Sequence, residues 1–314
     1  MTTPRKITVL GSGIMGPGIA AVFARSGADV TVYDVVEDAL ERAAAGVKVA
    51  EGVLEQLGSA RGNRQGAIGF TTDMDAALAG TEYVLEAVPE REDLKKQVLA
   101  QVEAIVGPEV VIASNTSGIP ITKLAEDMAH PERFIGMHWS NPPHVIPLIE
   151  VVPGAQTSDA TRDAVVALAN SFGYEAVLES EVPGFVENRI LYAIMRESLA
   201  LVDEGVISKE DMDICVRWGI GFKLAVVGPM RLLDMAGLDT YNNVASYLNR
   251  DLSKTDGVPN MITENIEAGT FGFKSGKGLF DYGDGDVAAK RSQIVSQLIA
   301  VRNAMPKPLS SDQV

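Results

Sequence analysis

A chain of 314 residues that is 46% hydrophobic and 22% charged has ordinary globular composition and exceeds the length at which one core usually splits, so two modest domains are expected. Its formal net charge of -15, with no basic cluster, would repel a polyanion and excludes nucleic acid as a natural partner, and no apolar run reaches the roughly 20 residues needed to cross a bilayer. A single cysteine, Cys215, excludes an intrachain disulfide framework and fits a reducing, cytoplasmic setting.

After MTTPRK the chain enters an apolar strand and meets Gly11 at once, which is not the pattern of a secretory signal. Short β-rich runs then alternate with helical ones: KITVL and a helix over 14–26, ADVTVY and 37–57, EYVLEAV and 91–106, VVIAS and 121–128. This rhythm predicts an α/β fold, a Rossmann-type doubly wound and mainly parallel sheet with helices on its faces. GSARGNRQGA, residues 58–67, reads as a loop. RFIGMH and PLIEVV are two more strands, followed by a helix over 158–172 and a last strand, YEAVLES. Beyond Pro183 the apolar spacing turns helical (Val186, Ile190, Ile194; Leu191, Met195, Leu199, Val202), with helices near 208–217, 229–236, 239–251 and 286–303. Ser208 and Asp211 resemble a capping box, and Cys215, on the amphipathic flank DMDICVRWG, is expected to be buried and inert. The boundary is drawn at 182, giving a nucleotide-binding domain over 1–182 and an all-helical domain over 183–314. A helical layer of that size suggests a homodimer. Met230, Leu232, Leu233 and Met235 could supply its apolar face, although core is the expectation for any single one.

GSGIMGPG, residues 11–18, lies between a predicted strand and a predicted helix, the context that gives a G-x-G-x-x-G run its meaning. Gly11 allows the tight turn, Gly13 lets the backbone approach a pyrophosphate, Gly16 lets helix and strand pack closely, and Ile14 and Met15 lie within the same loop. The helix start offers N–H donors to the anion, and Pro17 falls where its missing N–H costs little. Asp34 ends the second strand, where a carboxylate accepts from ribose hydroxyls, and Val35 and Val36 follow with no arginine for a 2′-phosphate, so the expected cofactor is NAD.

A hydroxyl oxidised by hydride loss must also lose a proton, and histidine is the usual base. Of three histidines, His138 closes one strand and Glu150 lies twelve residues on in the next, and two adjacent strands joined by the NPPHVI turn could bring them together. Spacing alone reads equally as a proton-transfer pair or as a strand-end histidine with a solvated glutamate. His144, inside the turn, is structural or substrate-facing, and His130 lies on the surface. Nothing in the pattern suggests a metal.

GSGIMGPGIA, LEAVPE, SNTSGIPIT, GMHWSNPPHVIPLIEVVPG, PGFVENRI, GPMRLLDMAGLD and FGFKSGKGLFDY, in this order, resemble the 3-hydroxyacyl-CoA dehydrogenase family over essentially the whole chain. The resemblance implies an NAD-dependent oxidoreductase of fatty acid metabolism acting on a small-molecule substrate. It implies His138 as base, Glu150 as its orienting carboxylate, Ser117 and Asn188 as donors to the reacting oxygen, Asn141 as pocket support, and Glu90, Lys95 and Asn115 beside the nicotinamide ribose. From the residues themselves, Ser117 could equally be a turn serine, Asn188 an amide near a helix start, and Glu90 and Lys95 surface charges on the helix from 91. A cleft between two domains would gather these groups and exclude water.

Where many members carry two aromatics after the histidine, this chain has Trp139 and Ser140, a change in the pocket wall. The region 42–64 offers only Arg42, Lys48, Arg61 and Arg64 to the phosphates of a CoA substrate. HWSNPP, together with CVRWGIGFK and GPMRLLDMAGLD, resembles the branch of the family with pyridine-carboxylate and, more distantly, gulonate and carnitine dehydrogenases, which act on small acids without CoA. A non-enzymatic NAD-binding protein of the crystallin type is countered by Ser117, His138, Glu150 and Asn188. A 3-hydroxyisobutyrate-type enzyme would need a lysine between Gly184 and Gly205, and there is none.

Overall fold

The computed structural model of the chain describes residues 4–283 and 287–305, in two compact units that divide at Arg189, seven residues beyond the boundary drawn from sequence. The first unit contains β1 (Lys6–Leu10), α1 (Gly16–Ser26), β2 (Asp29–Tyr33), α2 (Glu37–Gln56), β3 (Ile68–Thr71), α3 (Met74–Leu78) and β4 (Tyr83–Glu86). It continues with α4 (Glu92–Ile105), β5 (Val111–Ser114), α5 (Ile121–Leu124), β6 (Phe134–Trp139), β7 (Leu148–Pro153), α6 (Asp159–Ser171) and β8 (Glu175–Leu178), and the division falls inside α7 (Phe185–Asp203).

The described strands form one sheet in the order β3-β2-β1-β4-β5-β6-β7-β8, parallel from β3 to β6, with β7 antiparallel to β6 and β8 parallel to β7. The sheet is therefore doubly wound and mainly parallel, as expected. The order reverses between β1 and β4, and ligands of such sheets bind beyond the strand C-termini at that point. Two elements escaped the sequence reading. β3, IGFT, is a short edge strand whose only ladder partner is β2, and α3 is a five-residue helix capped by Asp73, whose side chain accepts from Ala76 N. Neither is long enough to show a hydrophobic period.

Alternation along the strands divides the core in two. Ile7, Val9, Leu85, Ile135, Met137, Trp139 and Val151 pack with Ile19, Phe23, Val47 and Val165 on one face. Leu10, Val84, Ile112, Phe134 and Val152 pack with Leu99, Val102, Ile121 and Phe185 on the other. Trp139 stacks on Phe172 and meets Phe23 and Tyr174 edge-on, so it belongs to the core and not to a pocket wall. His138, one residue earlier on β6, points to the opposite face, its ring 5.7 Å from that of Phe185.

The second unit holds the rest of α7, then α8 (Lys209–Cys215), a π-helical turn over Val216–Gly221, α9 (Phe222–Leu224), α10 (Pro229–Ala236), α11 (Leu238–Asp251), α12 (Asn260–Glu267) and α13 (Val287–Ala304). It is helical, as expected, apart from isolated bridges among Gly272, Lys277 and Asp281. Of the helix expected over 286–303, position 286 lies outside the described residues, and α12 was not foreseen. The Ser208 cap is present: its Oγ accepts from Asp211 N at 3.0 Å. Two expectations are corrected. Cys215 is exposed, because Met212 and Val216, four residues apart, carry the inner stripe of that helix and Cys215 sits beside it. Met230 and Met235 are 70% and 72% exposed, so they are not core.

Candidate active site

At the end of β1 the chain turns through Gly11 at φ 106, a conformation reserved for glycine, and a Cβ there would strike the Ala87 carbonyl. A Cβ at Gly16 would strike the Gly11 carbonyl, whereas one at Gly13 would meet open space. The loop thus packs tightly at its first and third glycines and leaves bare backbone facing outward at the second. Ile14 is 77% exposed beside it, Met15 leans on the core, and Val35 and Val36 are exposed at the end of β2. Between them Asp34 accepts from Ser12 N (2.9 Å) and Ser12 Oγ (2.7 Å) through Oδ2 and from Val36 N (3.1 Å) through Oδ1. Burial opposes its charge, but these hydrogen bonds outweigh burial and hold the carboxyl below the usual range. A fixed carboxylate with spare lone pairs, bare backbone at a helix start and apolar walls fit a dinucleotide with free ribose hydroxyls.

Beyond β4 the expected Lys95 lies in a buried ion pair, and the exposed Glu90 stands at its edge. Lys95 Nζ pairs with Glu86 Oε1 at 2.7 Å, lies 3.4 Å from Glu90 Oε2 and donates to the Val88 carbonyl at 3.2 Å. With a side chain 1% exposed, Lys95 is not the surface charge its helix position allows. Glu90 Oε1 accepts from Thr116 Oγ1 (2.6 Å) and Ser117 N (2.8 Å), fastening the turn after β5. Asn115, buried in that turn, accepts from Trp139 N through Oδ1 at 2.8 Å and so ties β5 to the end of β6.

The β6–β7 ladder sets His138 directly opposite Glu150, and His138 Nδ1 lies 2.7 Å from Glu150 Oε2. Glu150 is 2% exposed, not solvated. Its Oε1 accepts from Glu187 N (2.7 Å) and Val186 N (3.1 Å) at the start of α7. Burial works against its charge, yet the imidazole and the two amides prevail and keep its carboxyl below the usual range. An ionised Glu150 can only accept, which puts the proton on Nδ1 and leaves the Nε2 lone pair free. His138, Glu150 and Glu187 bring ligand atoms within 4.8 Å of one another, a spacing that could suit a cation. Both Glu150 oxygens are already engaged, however, so the cluster is organised as a hydrogen-bond network.

Asn188 Nδ2 donates to the Ser117 carbonyl at 2.8 Å, so these two expected residues meet, while the Ser117 side chain is exposed. Their approach needs Gly118 and Gly184: a Cβ at Gly118 would collide with the Gly184 backbone. Asn141 is exposed in the β6–β7 turn. His144 is pushed down to about 4 by burial, so it stays neutral, and exposed His130 lies beside Glu132. Sequence reasoning missed Glu179 and Glu187 beside the dyad and took Ser140 only as a change in the pocket wall. Ser140 Oγ donates to Glu187 Oε1 at 2.6 Å, and Glu179 Oε1 shares the Val186 N–H with Glu150, at 3.2 Å. The available signals were the serine two residues after the histidine and the glutamate inside PGFVENRI.

The sequence profile of the 3-hydroxyacyl-CoA dehydrogenase NAD binding domain matches residues 6–182, and that of the 3-hydroxyacyl-CoA dehydrogenase C-terminal domain matches 184–282. The chain belongs to the 3-hydroxyacyl-CoA dehydrogenase family. It is 48% identical over 303 residues, 96% of its length and 98% of the relative's, to 5-formyl-3-hydroxy-2-methylpyridine 4-carboxylate 5-dehydrogenase of Mesorhizobium japonicum. It is 37% identical over 281 residues, 88% of this chain and 100% of the relative, to a probable 3-hydroxybutyryl-CoA dehydrogenase of Deinococcus radiodurans. Among solved structures, an enzyme described as 5-formyl-3-hydroxy-2-methylpyridine 4-carboxylic acid 5-dehydrogenase, an NAD+ dependent dismutase, superposes with a TM-score of 0.93 at 47% identity, covering 97% of this chain and 99% of that one. A (S)-3-hydroxybutyryl-CoA dehydrogenase from Ralstonia eutropha gives a TM-score of 0.69 at 35% identity, covering 90% of this chain and 100% of that one. The chain is thus an NAD-dependent oxidoreductase of this family, acting on a hydroxyl-bearing carbon.

Proposed function

We propose that the protein oxidises the carbinol carbon of a small polar acid that carries no CoA, with His138 as the proton acceptor and Glu150 as its partner. The 2.7 Å contact between His138 Nδ1 and Glu150 Oε2 carries the proposal. NAD, when bound, supplies the hydride acceptor, with Gly11, Gly13, Ile14, Gly16 and Asp34 holding it. His138 Nε2 takes the hydroxyl proton as the C–H electron pair departs, Glu150 balances the imidazolium, and in the reverse direction the same proton returns. Ser117 holds the reacting oxygen and Asn188 sets the turn that presents it. Asn115 and Asn141 shape the pocket, Glu90 stands beside the cofactor, and Lys95 acts through Glu90.

The choice of a small acid over a thioester has two supports. The relative at 48% identity is named for a pyridine carboxylate, against 37% for one named for a hydroxybutyryl thioester. Of the cations available for CoA phosphates, Arg61 is paired with Glu55 and Arg64 with Asp29. On this reading the protein serves small-acid rather than fatty acid metabolism. It works as a homodimer whose second copy covers the apolar residues exposed on the helical unit, and in the cytoplasm, where the free thiol of Cys215 stays reduced. No helix among the described residues is long and apolar enough to cross a membrane.

The test follows NADH absorbance with the pyridine carboxylate aldehyde, which presents a hydroxyl-bearing carbon once water has added to it as the hydrate, with free hydroxy acids and with hydroxyacyl-CoA thioesters. Turnover is expected with the small acids, and His138→Ala should lower kcat by about 10²–10⁴-fold while NAD still binds. A variant at full rate, or turnover of thioesters alone, overturns the corresponding half of the proposal.

A further inference from the structure

We infer that Glu187 is a specificity-determining residue of this site, selecting substrates that carry a hydrogen-bond donor, a hydroxyl or a protonated ring nitrogen, close to the carbon that reacts. The inference rests on the dehydrogenase reading above and names the substrate class of the same site.

Glu187 is tied to the dyad through its backbone, since its N–H donates to Glu150 Oε1 at 2.7 Å. Its side chain returns toward the same place: Oε1 accepts from Ser140 Oγ at 2.6 Å, and its carboxylate lies with His138 and Glu150 in the cluster whose atoms fall within 4.8 Å of one another. Its other oxygen, Oε2, is buried and has no hydrogen-bond partner. Ser140 cannot satisfy it, because its single hydroxyl proton is spent on Oε1. Nor does the histidine serve, because the Nδ1 proton goes to Glu150 and Nε2 is left as an acceptor.

A buried acceptor without a partner is costly, and a ligand that brings a donor relieves that cost while one that brings none leaves it in place. Sites built this way reject an analogue lacking the donor far more strongly than apolar pockets reject a missing methylene. The serine that stands two residues after the histidine fits this role. An aromatic at position 140 would have no serine hydroxyl to hold Glu187, so Ser140 and Glu187 form one polar device in the wall beside the base.

The experiment titrates NAD-bound protein with 3-hydroxypyridine-4-carboxylate, pyridine-4-carboxylate and benzoate: the first carries a hydroxyl and a ring nitrogen, the second a ring nitrogen that donates only when protonated, and the third neither. The native protein should bind at least one of the pyridine acids tenfold or more tighter than benzoate. Glu187→Val should bring the three within about twofold of one another. Glu187→Gln, isosteric and neutral, should reduce the preference at least threefold, since a charged acceptor forms roughly twice the hydrogen bond of a neutral one. Equal affinities in the native protein, including no detectable binding of any probe, overturn the inference, as does native preference retained in a folded variant. Because the readout is ligand affinity, it stands apart from turnover: loss of NADH formation in His138→Ala reports on the dehydrogenase reading whatever Glu187 does.

Discussion

In the unit that ends at Arg189 the central strands bury side chains on both faces, and even its charged groups go inside in pairs: Glu86 with Lys95, Glu150 with His138. In the unit from 190 onward Met212 is the one described residue that is buried, while Trp218, Phe222, Met230, Met235 and Tyr247 are exposed. Apolar area returns about 25 cal/mol per Å² only when it leaves water, so the sheet gains from its own core, and the exposed apolar residues of the helices would gain only from the second copy proposed above. The proposed chemistry lies in the first unit. Every residue of the proposed dyad network, including the first turn of α7, lies before the division.

That contrast would break if the first unit tolerated the loss of a buried pair. Lys95→Met should do the greatest damage, because Glu86 would remain at 0% exposure without its cation. Breaking such a pair costs about 3–5 kcal/mol, enough for a fall of roughly ten degrees in Tm by calorimetry. Glu150→Gln comes next. It should keep the fold and NAD affinity and lower kcat by about 10²-fold, because an amide cannot balance the imidazolium. Stopped-flow hydride transfer measures it, and a native rate would move the chemistry elsewhere. The double substitution Met230→Glu, Met235→Glu addresses the other unit. If the proposed homodimer forms through α10, sedimentation should show native dimers giving way to monomers, with NAD binding by the first unit unchanged; a monomeric native protein would overturn the dimer, and dimers persisting in the variant would take α10 out of its interface.

What the sequence disclosed follows the same contrast. The glycine loop was legible because Gly11, Gly13 and Gly16 each answer a local backbone demand, and the sheet because β1, β2, β4, β5 and β6 are apolar runs between helical ones. His138 and Glu150 were legible as candidates only, since their contact depends on the register of an antiparallel pair, which twelve-residue spacing does not determine. Lys95 could pass for a surface lysine because its partner Glu86 sits at the end of a strand nine residues earlier. The hydrogen bonds of Ser140, Glu179 and Glu187 were unreadable for a related reason: they form only when β6, the end of β8 and the start of α7 converge. In the helical unit the period was correct and the burial was not, because an amphipathic stripe looks the same whether it faces its own core or another surface.

Glu179 supplies the smallest effect and the finest test of how the first unit manages buried charge. Its carboxyl is pushed up to about 7, by burial first and then by the charge of Glu150, with which it shares the Val186 N–H. Glu150 keeps the charge and Glu179 keeps the proton. A carboxyl whose folded value lies above its ordinary 4.5 favours the fold while protonated. That contribution is complete below about 4.5 and is lost as pH rises through 7. Glu179→Gln stays neutral throughout, so its Tm should match the native value near pH 5 and exceed it progressively between pH 6 and 8.5. Solvent screening at this half-buried site limits the gain to about 1 kcal/mol, a shift of roughly two to four degrees. A gap independent of pH would mean that the two carboxylates do not share their amide, and the pairing of buried charge around the dyad would then end at Glu150.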